Sequence, residues 1–582
     1  MLIFNSKAVV ERRGFRPKFS MKIPRTFLLF FLAITVSQNV RGQLPEKTAV
    51  GKNGMVVTSQ GEASRVGLEI LRKGGNAIDA AVAVGYALAV TEPCCGNLGG
   101  GGFMLIRLAN GESVFINFRE TAPLAATANM YLDRNGEIIP GRSRNGYLAV
   151  AVPGTVRGLD LALQKYGTRS RQQVIAPAIA LARQGFILGT GDIEILRRSG
   201  EKLKDPSMAA IFLKNGSKPY EVGDRLVQKN LARTLAQIAR GGPAVFYGGE
   251  IGAQVVAESR KQGGILSAED LDTYQALEQE PLQCTYRGYD ILTAPPPGGG
   301  MTVCLMLNIL QGYDLKASGF RSTDTVHRFL AAMLFAYVDR NTYLGDPKFV
   351  QIPLERLLSA EYAASIREKI PTKQAVDPRP FYQTIIREGD STTHYSVIDR
   401  TGNAVSVTYT INSSFGAGVI AGDTGFVLNN EMDDFVSKLG SPNQFGLIQG
   451  RANRIEPGKR PLSSMSPTIV VKNGQVVLIT GSPGGSTIPT TVLQMITHTI
   501  DYGMTVAEAV NYPRFHYQGM PDRVLIEPNA LAPKVVAALE KRGYTFQPFP
   551  KWGSAESIAV DRSRTFTGAA DQRRNAGEAR GF

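Results

Sequence analysis

Histidine and cysteine are scarce: the 582 residues hold four of each, and a single tryptophan. His327, His394, His498 and His516 are scattered without a His-x-x-x-His pair, and Cys94, Cys95, Cys284 and Cys304 offer no zinc-ligand spacing. A metal site has little to stand on, and no cofactor is expected. Four cysteines in so long a chain do not make a disulfide framework and read as incidental. No Pro/Ser-rich or charge-rich spacer divides the sequence, which argues against several separate domains. No apolar run approaches the roughly 20 residues needed to span a bilayer. The formal charge is +15, yet residues 1–42 hold eight Lys/Arg against one Glu, leaving 57 basic against 49 acidic residues. With no basic block interleaved with aromatics after that point, nucleic-acid binding is not expected. At 43% hydrophobic and 20% charged, the chain is a large globular protein.

What is present begins with an export signal. Lys22 and Arg25 precede the apolar run Phe27 to Val36, and Val40-Arg41-Gly42 offers small residues near a cut. Residues 1–42 read as a secretory signal peptide, with Met21 a possible true start, and predict a periplasmic or secreted protein without a membrane span. Residues 61–90 predict two core helices, with Val66, Ile70 and Leu71 on one face, a Gly74-Gly75 stop and Asn76 capping the second. The Gly99–Gly102 run precedes Phe103–Leu108, the Asn110-Gly111 turn and Ser113–Arg119, so it feeds a β-hairpin and not the helix a dinucleotide fingerprint requires. From Val156 to Ala375 the pattern is mostly helical, as in Leu226, Leu231, Leu235 and Ile238 before Gly241-Gly242, and reads as scaffold. After Ser391 short β-branched strands prevail, with helices from Pro489 to Tyr502 and near Pro533 to Arg542. The aperiodic stretch between Phe435 and Pro467 has the length of a lid or binding loop.

Two features carry chemistry. Thr392–Ile398, the turn Asp399–Asn403 and Ala404–Asn412 form a hairpin with one polar face, containing Thr392, His394, Ser396, Ser406, Thr408, Thr410 and Asn412. If Ile398 pairs with Ala404, Thr392 lies opposite Thr410. A half-exposed hairpin with solvated hydroxyls gives the same pattern. Gly481-Ser-Pro-Gly-Gly-Ser-Thr487, between the strand Gln475–Thr480 and a helix, points backbone N–H groups at an anion. Lacking the P-loop lysine, it reads as an oxyanion hole or a tight structural turn.

Thr392-Thr-His-Tyr-Ser396, Asn429-Asn-Glu-Met-Asp-Asp434, Pro461-Leu-Ser-Ser-Met-Ser-Pro467 and Gly481-Ser-Pro-Gly-Gly485 resemble the gamma-glutamyltransferase family, as do Gly99–Met104 and Asn117-Phe-Arg-Glu120. The resemblance spans nearly everything after residue 42. It implies an α/β N-terminal-nucleophile hydrolase, a four-layer αββα sandwich made as a precursor that cuts itself between Ser391 and Thr392. Residues 43–391 would become a large subunit. Residues 392–582 would become a small catalytic subunit, with a lid loop at about 436–466, and the two would form a heterodimer. Thr392 would serve as nucleophile, its freed α-amine as base. Thr410 would hold that amine, and Gly484 with Gly485 would form the oxyanion hole. Arg119, Ser463 and Ser464 match the family's partners for the donor α-carboxylate, and Asn412, Glu431 and Asp434 those for its α-amine. The implied donors are glutathione and other gamma-glutamyl amides, and the acceptors water, amino acids or dipeptides. Phe445 stands where many bacterial members carry Tyr, which removes a hydroxyl from the lid. Taken alone, each acidic residue here reads as a solvated charge. Three alternatives stay open on the residues themselves: a beta-lactam side-chain acylase of the same fold, an exported binding protein, and a phosphate-binding enzyme.

Overall fold

Alternation along the strands of a computed structural model sorts this protein into layers. The structure describes residues 47–379 and 392–582, which fall in one compact unit; the signal-peptide reading of residues 1–42 and the position of Ser391 lie outside them. Two seven-stranded sheets, antiparallel at every pairing, form the centre. One runs Thr48–Gly51, Phe566–Ala569, Ser557–Val560, Gln475–Thr480, Thr468–Lys472, Tyr289–Thr293 and Leu282–Tyr286. The other runs Glu578–Gly581, Gly54–Thr58, Thr393–Asp399, Ala404–Thr410, Gly101–Arg107, Ser113–Phe118 and Leu277–Gln279.

Successive side chains leave a strand on opposite faces. Met55, Val57, Phe103, Leu105 and Ile398 meet Ile469, Val471, Ile479 and Ile558 in a core between the sheets. Their neighbours Val56, Met104, Ile106, Val397, Val405 and Val407 turn outward to a helical layer that includes Ala77–Thr91. On the far side Ile291, Val470 and Leu478 face the helices Gly300–Gln311, Thr323–Tyr343 and Ile488–Ile500. Apolar residues on both faces of both sheets leave room for only one arrangement, helix, sheet, sheet, helix. This is the αββα sandwich expected.

The helix Ala77–Thr91 is buried on all sides, as its unbroken apolar run requires. Asn76 and Asp79 cap it reciprocally, and its small residues admit two tyrosines of the central hairpin: Tyr395 Oη donates to Ala81 O and Tyr409 Oη to Gly85 O, both at 2.9 Å. The helix is thereby locked to the strand that begins at Thr393.

Several expectations are corrected. The 156–375 region is not only helical scaffold; it supplies one edge of each sheet through Leu277–Gln279, Leu282–Tyr286 and Tyr289–Thr293. Leu226 lies in a two-residue strand before the helix Lys229–Gly241. The cysteines are not incidental: Cys284 on an edge strand is bonded to Cys304 on the helix behind it, and Cys94 to Cys95. Residues 436–466 hold one 3-10 turn, Arg451–Asn453, and a single bridge from Val436 to Arg454, yet bury Phe445, Leu447 and Ile455. No helix among the described residues is long and apolar enough to cross a membrane.

Candidate active site

The site is built from the start of the central hairpin. Thr393 pairs with Tyr409 and Ile398 with Ala404, the register expected, and Thr392 Oγ1 lies 3.1 Å from Thr410 Oγ1. Thr410 Oγ1 also accepts the Asn412 N–H at 2.9 Å. The polar face of the hairpin is not solvated. It lies between the sheets, where Ser396 Oγ donates to Glu556 O at 2.7 Å and Ser406 Oγ to Thr480 O at 3.0 Å. Polar residues on an inner face are tolerated because they find partners, across the sheets for these two serines and within the hairpin for His394 and Thr408. His394, two residues from Thr392, bonds Thr408 Oγ1 through Nδ1 at 2.9 Å. Burial pushes its pKa down to about 3, so it is a neutral structural group and not a base.

The glycine loop enters from the other sheet. After Gln475–Thr480 the chain turns through Gly484 (φ 129°) and Gly485 (φ 54°) into a 3-10 turn and the helix Ile488–Ile500. Both residues occupy left-handed backbone that favours glycine. A Cβ on Gly485 would lie 2.4 Å from Cδ1 of Phe445, so the lid segment sits directly on the loop. Gly485, Thr392, Thr410, Asn412 and Phe445 line one cavity.

Another wall of that cavity is charged. Arg119, just past the strand Ser113–Phe118, is fully buried and ion-pairs with Glu431 and, at 2.5 Å, with Asp434 Oδ2, while Glu120 stands 3.4 Å away. Arg119 Nε donates to Pro461 O at 3.2 Å. Ser463 and Ser464 share the wall, and Ser464 Oγ accepts from Arg340 Nη2 at 3.0 Å. The acidic residues are thus not solvated charges. Three carboxylates crowd this guanidinium, and the buried guanidiniums of Arg340 and Arg460 act on them as well. Burial raises the pKa of Glu431 well above the usual range, that of Glu120 to about 7, and that of Asp434, against the pull of Arg119. Glu431 Oε2 and Asp434 Oδ1 are buried acceptors without a hydrogen-bond partner among the described residues.

The cavity retains about 20 Å³, room for about one water, so these side chains fill most of it themselves. Beyond Phe445 opens a larger cavity of about 430 Å³, lined among others by Ser413, Gln444, Trp552 and Arg574. All ten candidate catalytic and binding residues, Thr392, Thr410, Gly484, Gly485, Arg119, Asn412, Glu431, Asp434, Ser463 and Ser464, gather around the smaller cavity or its loop. Sequence reasoning missed Arg340 and Glu120. An arginine within the apolar helix Thr323–Tyr343 was the available signal for the first.

Comparison with known proteins gives the family. The Gamma-glutamyltranspeptidase profile matches residues 63–581. The chain is 52% identical over 544 residues to the glutathione hydrolase proenzyme of Pseudomonas sp. (strain A14), covering 91% of this chain and 94% of that one. It is 48% identical over 528 residues to the glutathione hydrolase proenzyme of Escherichia coli (strain K12), covering 90% of each. Among solved structures, a cephalosporin acylase from Bacillus halodurans superposes with a TM-score of 0.82 at 28% identity, over 94% of this chain and 99% of that one. The chain belongs to the gamma-glutamyltranspeptidase family.

Proposed function

We propose that Thr392 is the nucleophile of this enzyme, a gamma-glutamyltransferase and glutathione hydrolase made as a self-cleaving precursor. In the precursor, Thr392 Oγ1 attacks the Ser391 carbonyl, the Thr392 nitrogen leaves as the free α-amine, and water hydrolyses the resulting ester to release the Ser391 carboxylate and restore the Thr392 hydroxyl. An α-amine ordinarily titrates at about 8, close enough to working pH to act as general base for its own hydroxyl. Attack on a gamma-glutamyl amide then expels the amine product and leaves a gamma-glutamyl ester on Thr392, which water, an amino acid or a dipeptide resolves. The backbone N–H groups of Gly484 and Gly485 stabilise the negative charge on the carbonyl oxygen.

Arg119, Ser463 and Ser464 bind the donor α-carboxylate. Asn412, Glu431 and Asp434 bind its α-ammonium, for which the two partnerless acceptors, Glu431 Oε2 and Asp434 Oδ1, are the natural site. Because Arg119 is already paired with both of these carboxylates, donor entry exchanges these internal ion pairs for pairs with the donor, and 436–466 acts as the lid over the exchange. Glutathione is the proposed physiological donor. Residues 1–42 are the proposed export signal, placing the enzyme in the periplasm or outside the cell, with 43–391 and 392–582 as its subunits.

The observation that carries this reading is the 3.1 Å approach of Thr392 and Thr410 hydroxyls inside a cavity that also holds Arg119, Glu431 and Asp434. The likeness to a cephalosporin acylase supports a second reading as an acylase. The arginine with its buried acidic pair favours an amino-acid head group instead. The test is the purified protein on a denaturing gel. Scaling 62.9 kDa by residue count gives chains of about 38 and about 21 kDa, the smaller beginning Thr-Thr-His-Tyr-Ser. Thr392→Ala should stay a single inactive chain; normal cleavage and turnover in that variant would remove Thr392 from the mechanism.

A further inference from the structure

Thr392 is held from a second direction that the donor pocket does not use. Its carbonyl oxygen accepts a hydrogen bond from Nη2 of Arg574 at 2.9 Å, and the other end of the same guanidinium, Nη1, pairs with Glu92 Oε1. The second oxygen of Glu92 accepts from Thr393 Oγ1 at 2.6 Å and from Ser59 Oγ, and those two hydroxyls lie 2.8 Å apart. Glu92 is 1% exposed at its side chain and Arg574 16%, so the pair is largely shielded from water. Glu92 caps the helix Ala77–Thr91, itself locked to the hairpin by two tyrosines, and Arg574 comes from the turn before the last strand, Glu578–Gly581. Two groups 482 residues apart in sequence thus clamp the first two residues of the hairpin.

A chain-terminal residue keeps only one peptide bond to anchor it, and such residues fray unless tied down. Catalysis nonetheless requires Thr392 to hold its hydroxyl and amine to a fraction of an ångström. The Thr410 contact fixes the side chain but not the backbone behind it. We infer that Arg574 and Glu92 are positioning residues that fix the backbone of Thr392, both in the precursor and after the cut has released its other side. The inference rests on Thr392 being the nucleophile. The planar fork of Arg574 reaches the Thr392 carbonyl and the Glu92 carboxylate together, a geometry a lysine ammonium does not reproduce.

The clamp also has an electrostatic signature. Covalent geometry places the Thr392 amine near its own carbonyl, hence close to Arg574, and a neutral ion pair there leaves the amine's proton affinity nearly unchanged. Removing one partner does not: an unpaired cation lowers the pKa of a neighbouring amine and an unpaired carboxylate raises it. Arg119, Arg340, Glu431 and Asp434 face Thr392 from the donor cavity, neutral His394 lies along its own strand, and Arg573 lies beside Arg574. None of these changes among the variants below.

The experiment compares Arg574→Gln, Arg574→Lys, Glu92→Gln and the Glu92→Gln/Arg574→Gln double variant, each as the full chain allowed to complete self-cleavage. Rates of cleavage, then kcat and KM for a gamma-glutamyl anilide, are measured across pH. Arg574→Gln should slow self-cleavage and lower kcat by about tenfold to a hundredfold with donor KM within about twofold. Arg574→Lys should restore little of the kcat. The acid limb of kcat/KM should move up in Arg574→Gln and down in Glu92→Gln, and return toward the parent in the double variant. If Arg574→Gln does not fold, Arg574→Lys carries the kcat test, and Glu92→Gln carries the acid-limb test, since lysine keeps the charge. Parental kcat in folded, cleaved Arg574→Lys, or acid limbs that stay fixed in both single variants, would overturn the assignment while leaving Thr392→Ala to decide the nucleophile separately.

Discussion

Replacing Gly485 by alanine tests whether the segment over the site controls the oxyanion loop. The new Cβ would lie 2.4 Å from Cδ1 and 2.5 Å from Cε1 of Phe445, where ordinary contact begins near 3.4 Å. It would also sit on a residue with φ of 54°, at a cost of about 1–2 kcal/mol for an L side chain. The backbone strain cannot be relieved by the neighbour, but the clash can, because a phenylalanine ring swings away. The substitution keeps the Gly485 N–H, so the donor of the oxyanion hole survives and the lid is what moves. We expect Gly485→Ala to lower kcat/KM by about a hundredfold, the sum of about 1.4 kcal/mol of strain and a similar term for the displaced ring. Phe445→Ala removes the ring and, in the double variant, should leave only the strain. The assay is a double-mutant cycle on kcat/KM for a gamma-glutamyl anilide, with the cleaved heterodimer verified in each case. A coupling of about 1–2 kcal/mol is the expected outcome. Strict additivity of the two substitutions would show that Phe445 does not press on the loop in the working enzyme, and the lid reading would fall.

Two further predictions concern the charged groups. Arg119→Lys should leave self-cleavage intact, since no donor takes part in that step, but lower kcat/KM for gamma-glutamyl amides by about a hundredfold, because the ammonium lacks the fork that meets a carboxylate. A donor without the α-carboxylate should react poorly with the parent and lose little more in the variant; equal fractional losses on both donors would return the acylase reading to the front. Glu556, buried behind Ser396 and beside Asp571, has its pKa pushed up to about 8, by burial first and Asp571 second. The folded protein therefore binds a proton that the unfolded chain releases near the ordinary carboxyl value, and that stability is lost as pH rises toward 8. Glu556→Gln should flatten the fall in Tm between about pH 5 and pH 8; parallel Tm profiles for parent and variant would show that Glu556 does not titrate in that window.

Much of the catalytic hairpin was legible in the sequence because it is local. Strands of period two joined by the five-residue turn Asp399–Asn403 leave one register that keeps Val397, Val405 and Val407 on the same face, and that register brings Thr392 to Thr410. The glycine loop was legible for the same reason, since Gly484 and Gly485 fall between a strand and a helix where positive φ is needed. The fate of the hairpin's polar face was not, because a row of hydroxyls reads alike whether it meets water or another sheet. Only the packing of Gln475–Thr480 and Ser557–Val560 against it decides, by supplying Thr480 O and Glu556 O as acceptors.

The sequence by itself determined which elements form and which chemistry they bear, since periodicity, caps and turn residues act within about a dozen positions. The tertiary structure alone decided which distant groups meet. Arg119 and Glu431 are 312 residues apart, Glu92 and Arg574 are 482 apart, and Cys284 reaches Cys304 only because an edge strand lies on the helix Gly300–Gln311. No local pattern encodes such encounters: a buried arginine among three carboxylates and a solvated one have the same neighbours in sequence, and differ only in what the two sheets and their helices bring up against them.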